Sequence, residues 1–171
     1  AGSTLQSTPQ SVISGRAPIQ LGAELFGSNA IEADSEIIGL MLSTFECAGV
    51  SRPLTLDIGH IGIYDALFSD AGLEPEVEAQ VFDALQRKSV PDIERLSASL
   101  PAREAERLAR LVSLHGSPDV LASARAAFPD EPAVMAALDQ LDTVLAGVQR
   151  AFPDVGVYVD LTELRGFRYH T

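Results

Sequence analysis

The feature that most constrains this chain is a change of hydrophobic period, from two to 3.6 and back to two. Residues 17 to 26 alternate, with Ile19, Leu21, Ala23 and Leu25 on one side and Gln20, Gly22 and Glu24 on the other. The same alternation returns at 54 to 58 (Leu54, Leu56, Ile58) and at 155 to 161 (Val155, Val157, Val159, Leu161). Each stretch predicts a half-buried strand, because side chains alternate across a pleated backbone. Between the first two, Ile37, Ile38, Met41, Leu42 and Phe45 recur at helical spacing before Gly49, which predicts an amphipathic helix over 31 to 47.

From Ile61 to Phe152 the pattern is helical throughout, broken at Gly72, Pro75, Pro91, Pro101, Gly116-Ser117-Pro118 and Pro129-Asp130, and it predicts about six helices. Ser117 before Pro118 is expected to cap one of them, and Asp130 to open the longest, where Val134, Leu138, Leu141, Leu145 and Val148 form one stripe. The expected class is α+β within a single domain: a sheet part over 1–60 and 153–171, and a mainly helical insertion over 61–152. The three strands are expected to be neighbours in one antiparallel sheet.

Composition narrows the function. Twelve basic against 24 acidic side chains give a net charge of −12, which opposes binding to a phosphate backbone, so no nucleic-acid partner is expected. No apolar run approaches the roughly 20 residues needed to span a bilayer, and no membrane partner is expected. A lone cysteine, Cys47, fits a reducing cytoplasm. The chain starts without Met and stops at Arg168-Tyr169-His170-Thr171 in strand-like sequence, so it reads as a piece of something longer.

The three histidines, His60, His115 and His170, have no metal-ligand spacing, and no cofactor or metal is expected. His115 is expected in a last helical turn, complementing the helix dipole. Arg103, Arg107 and Arg110, interleaved with Glu104 and Glu106, are expected on a solvated helix face. The informative surface is the polar side of the strands: Gln20, Glu24, Asp57, Tyr158 and Asp160, with Arg165 to His170 directly after. Such a face suits a zwitterionic amino acid or amino sugar, and Gly22 and Gly156 leave room for a ligand or another backbone.

The run Gln20 to Gly27, followed by Glu32-Ala33-Asp34-Ser35-Glu36, resembles the motif 2 strand and following helix of class II histidyl-tRNA synthetases. Leu164 to His170 resembles that family's histidine-binding signature, Arg-Gly-Leu-Asp-Tyr-Tyr. The resemblance implies the class II core, an antiparallel sheet flanked by helices. It also implies a histidine-like pocket built from Gln20, Glu24, Arg165, Tyr169 and His170. The family's motif 2 opens with Phe-Arg-x-Glu, whose Arg holds the α-phosphate of ATP, whereas this chain has Thr4-Leu5-Gln6-Ser7. Loss of that charge should cripple adenylate formation. Residues 6 to 15, the matching loop, are polar and expected to be mobile.

A synthetase-like core without its adenylation residues is similar to the regulatory-subunit family of ATP phosphoribosyltransferase. Leu56 to Gly62, Phe82 to Lys88 and Glu163 to His170 carry that likeness. It implies no catalytic residues, a short-form catalytic subunit as partner, self-association, possible histidine binding and a role in histidine biosynthesis. The alternative is a divergent histidyl-tRNA synthetase.

Overall fold

The computed structural model describes residues 1–5 and 17–164. Strands β1 (Gly2–Ser3) and β2 (Ile19–Gln20) pair antiparallel, with Gly2 opposite Gln20 and Ser3 opposite Ile19. Helix α1 (Ile31–Cys47) follows the spacing of its apolar residues and stops at Gly49, whose φ of 71° few other residues adopt readily. Strand β3 (Thr55–Ile58) leads into α2 (Ile61–Phe68) and a short 3-10 turn at Ser69–Ala71. Then come α3 (Pro75–Gln86), α4 (Val90–Ser97), α5 (Ala102–Leu111), strand β4 (His115–Gly116), α6 (Val120–Ala127), α7 (Pro132–Ala151) and β5 (Gly156–Asp160). The six helices expected between 61 and 152 are present.

The main core lies among these helices. Ile63, Tyr64, Leu67, Leu85, Leu108, Leu111 and Leu138 are fully buried there, and Val159, Leu161 and Leu164 join them from the sheet side. A smaller cluster, Leu42, Leu56, Val144 and Val148, fastens α1 to β3 and α7.

The strand arrangement corrects the expectation. Residues 17–26 contribute only Ile19–Gln20 to a strand, and that strand pairs with β1 in a sheet separate from β5. The second sheet has the order β3-β5-β4, and β3 and β5 run parallel, with Thr55 opposite Gly156 and Ile58 opposite Val159. Alternation reveals faces, not direction, and the six intervening helices carry the chain back to the end from which β3 started, so the two strands pair parallel. Gly156 has a backbone neighbour rather than a ligand space: a Cβ there would lie 3.3 Å from Thr55 Oγ1 and 3.5 Å from the Leu54 carbonyl oxygen.

Three local expectations also change. His115 is not helical, because α5 closes at Leu111 and the chain extends into β4 beside β5. Ser117 and Pro118 offer carbonyls to Val120 and Leu121 in a turn ahead of α6, which starts two residues later than a Ser117 cap would require. The longest helix opens at Pro132 rather than at Asp130.

Candidate functional site

A cavity of about 560 Å³ opens between residues 23–26, α1, the end of β3 and α7. Its size suits a small molecule. Ile37, Ile38, Ile58 and Val144 supply apolar wall, while Glu24, Asp34, His60 and Gln140 supply polar groups. His60 is fixed at both ring nitrogens. Nδ1 accepts the Gly62 backbone N–H at 3.1 Å and so caps α2. That assignment leaves the proton of the neutral ring on Nε2, which donates to Gln140 Oε1 at 2.6 Å. Two carboxylates over an apolar wall, with an oriented imidazole, can hold a small cation-bearing molecule.

Of the five residues expected to form one pocket, Glu24 lines this cavity. Gln20 is exposed on β2 and is not among the lining residues. Arg165, Tyr169 and His170, like the loop over 6–15, lie outside the described residues. Sequence reasoning missed His60 and Gln140 as site residues. The His60-Ile61-Gly62 order was the available signal, since a ring nitrogen can cap the N–H two residues on.

The polar side of the second sheet is solvated at Asp57 and buried at Asp160. Asp57 and Tyr158 are paired across β3 and β5, and Asp160 lies one alternation further along. Asp57 is exposed, but Asp160 is 1% exposed, and Lys88 Nζ reaches its Oδ2 at 2.5 Å. Asp160 Oδ1 also accepts the Thr162 N–H at 2.9 Å and its hydroxyl at 2.6 Å. Carboxylate oxygens of Asp57, Asp160 and Glu163 lie within 4.8 Å of one another, so the Lys88 ammonium enters a strongly negative neighbourhood. Tyr158 extends the cluster, its hydroxyl 2.7 Å from His115 Nδ1.

Burial pushes the Asp160 carboxyl up, and the hydrogen bonds from Lys88 and Thr162 outweigh it, so the group is held below its usual value. Partial burial pulls Lys88 down, and Asp160, with Asp57 and Tyr158 nearby, holds it above its usual value instead. A depressed carboxyl stabilises the fold above its ordinary value of 3.8 and loses that contribution as pH falls through the folded value. A raised ammonium contributes below its ordinary 10.5 and is lost as pH rises through the folded value. The stability gap between the protein and Lys88→Met should therefore be widest near neutrality and shrink on acidification. Urea unfolding at a series of pH values measures it, and a gap that grows in acid would contradict the pairing.

The arginines of α5 also depart from expectation. Arg107 is only 9% exposed, and its Nη1 donates to the Leu67 carbonyl at 2.7 Å while Nη2 bonds Glu131. Positions 104, 107, 108 and 111 share one helical face, so the core stripe that buries Leu108 and Leu111 takes Glu104 and Arg107 with it. Arg103 and Arg110 are exposed as expected, and both line a 280 Å³ groove with Glu131.

A family model described as Histidyl-tRNA synthetase matches residues 1–171. The chain belongs to the histidyl-tRNA synthetase family. Within that family it is 46% identical over 172 residues to a protein of Ectopseudomonas mendocina named ATP phosphoribosyltransferase regulatory subunit. That match covers 100% of this chain and 43% of the relative, so the chain spans less than half the length of the curated protein it resembles. Among solved structures it is similar to an ATP phosphoribosyltransferase regulatory subunit/histidyl-tRNA synthetase from Bacillus halodurans, with 27% identity and a TM-score of 0.64 over 80% of this chain and 36% of that one. It also shares the fold of a chain in the ATP phosphoribosyl transferase (HisG:HisZ) complex from Thermotoga maritima, at 21% identity and a TM-score of 0.61, over 82% of this chain and 48% of the other. The family and these fold neighbours uphold the class II, α+β reading, although the strand pairing within the chain is not the one expected. Among the described residues no helix is long and apolar enough to cross a membrane.

Proposed function

We propose that this chain belongs to a non-catalytic regulatory subunit of ATP phosphoribosyltransferase, acting in the cytoplasm with a short-form catalytic subunit in the first step of histidine biosynthesis. The observation that carries this reading is the 46% identity, along the whole chain, to a protein of that name. The sequence supports it further: Leu5 and Ser7 stand where a synthetase has the Arg and Glu of Phe-Arg-x-Glu. Neither can neutralise charge developing at an α-phosphate, a contribution usually worth about 3 to 4 kcal/mol per lost donor. On this reading residues 1–171 are part of one synthetase-like core domain, and self-association completes the assembly.

Histidine is the proposed effector. Glu24 opens onto the cavity that Asp34 also lines, and these two carboxylate acceptors suit an α-ammonium and an imidazole N–H. Arg165, Tyr169 and His170 are proposed to complete the pocket, with Arg165 toward the carboxylate. Feedback then needs only that histidine favour one conformation of the assembly, and a typical coupling free energy is about 1 to 3 kcal/mol.

A divergent histidyl-tRNA synthetase is the competing reading, and the family description itself favours it. Histidine-dependent pyrophosphate exchange into ATP separates the two. The intact protein is expected to support none and to be retained by an immobilised short-form catalytic subunit. Robust exchange, or no retention, would overturn the regulatory reading.

A further inference from the structure

Among the described residues, Lys88 is the one non-glycine with a positive φ, 49°, in the turn that closes α3. Glycine usually fills such a position because a Cβ is strained there. A lysine gives no conformational advantage, so its side chain must account for it. That side chain runs to Asp160, which is buried and also organises the turn that follows β5. Asp160 holds both the N–H and the hydroxyl of Thr162, and its carbonyl accepts the Glu163 N–H at 3.1 Å. Leu161, Thr162 and Leu164 are each 1% exposed, so the turn has little freedom to shift alone.

The same turn touches the cavity wall. A Cβ on Gly59 would lie 2.4 Å from the Asp160 carbonyl oxygen and 3.1 Å from Glu163 Cβ. Gly59 and His60 both line the cavity that Glu24 enters. A continuous series of contacts therefore runs from the α3–α4 turn, through Lys88 and Asp160, to the backbone that presents His60. Strained backbone kept in place by surrounding contacts is a recurrent mark of functional sites.

We propose that Lys88 is a positioning residue whose ion pair with Asp160 sets the 160–163 turn against Gly59, and through it the His60 wall of the cavity. The proposal deepens the histidine-binding reading and, for its ligand arm, rests on it. Through this contact, anything that displaces the α3–α4 turn alters the cavity without entering it.

Lys88→Met alone leaves a buried carboxylate unpaired and destabilises the fold for reasons unconnected with position. The informative variant is Lys88→Met combined with Asp160→Asn. It removes both charges and keeps an amide oxygen for Thr162, so stability should recover relative to the single variant. On the intact protein, amide exchange at Gly59 to Gly62 and at Leu161 to Leu164 is expected to quicken about tenfold in the double variant, while exchange within α7 stays unchanged. Histidine affinity by calorimetry is expected to weaken about fivefold in the double variant and to stay within about twofold of the parent in Lys88→Arg, which restores a cation. Unchanged exchange in the double variant overturns the proposal. So does parental histidine affinity alongside faster exchange, which would leave the pair a purely structural device. If the parent protein binds no histidine, the histidine reading fails on that measurement, and exchange at Gly59 to Gly62 alone decides whether Lys88 sets the wall.

Discussion

Gly59→Ala is expected to destabilise the protein by about 3 kcal/mol, the upper part of the range for atoms forced into a packed site. The added methyl carbon would stand 2.4 Å from the Asp160 carbonyl oxygen, well inside contact distance, and a backbone oxygen cannot swing aside as a side-chain tip can. Either β3 separates from β5 at its end or the 160–163 turn shifts and strains the Lys88 pair. Gly147→Ala is the matched control. Gly147 lies within α7, a Cβ there meets nothing within 4 Å, and removing glycine from a helix interior should stabilise by about 0.5 to 1 kcal/mol. Urea unfolding midpoints should thus move in opposite directions, with equal slopes. A Gly59→Ala midpoint equal to that of the parent would show that the contact can relax.

Leu138→Ala should cost about 3 to 4 kcal/mol. Leu138 is fully buried on the inner stripe of α7, in the cluster that joins the helices to Val159 and Leu161. The loss combines the transfer of the missing methylenes with a cavity whose walls, set by several helices, cannot all close on it. A marginally stable domain holds about 5 to 15 kcal/mol in total, so a large share would go with one side chain. Guanidinium unfolding measures it, and a loss below about 1 kcal/mol would mean that the site collapses freely.

Helices were the legible part of this sequence. Ile37, Ile38, Met41, Leu42 and Phe45 are enough to place α1 over Ile31–Cys47, because period 3.6 is a local property. The strands at 54–58 and 155–161 were legible as strands, yet their parallel pairing depends on where the helical segment returns the chain. The site divides in the same way. Glu24 stands out in the sequence and lines the cavity, whereas the burial of Asp160 depends on Lys88, far away along the chain. One local hint existed: the turn that closes α3 reads Arg87-Lys88-Ser89, with no glycine. The buried Arg107 was hidden because the mixed charges at 103, 104, 106, 107 and 110 of α5 resemble a wet face until the stripe of Leu108 and Leu111 is followed back one turn.

The parallel partnership of Thr55 with Gly156 has a kinetic side. Closing a loop of about 100 residues by chance costs about 4 kcal/mol in chain entropy before any strand contact rewards it. Helices that form first shorten that search, because each turns a flexible stretch into a rod and their packing brings β3 and β5 together. Strand registry is then expected among the last steps of folding. Leu138→Ala should accordingly slow refolding, and Gly59→Ala should act mainly by hastening unfolding, two limbs of a chevron that separate under stopped flow. During synthesis the consequence is sharper still: among the described residues β3 has no pairing strand except β5, so it must wait with neither edge paired until the ribosome has delivered everything up to Asp160.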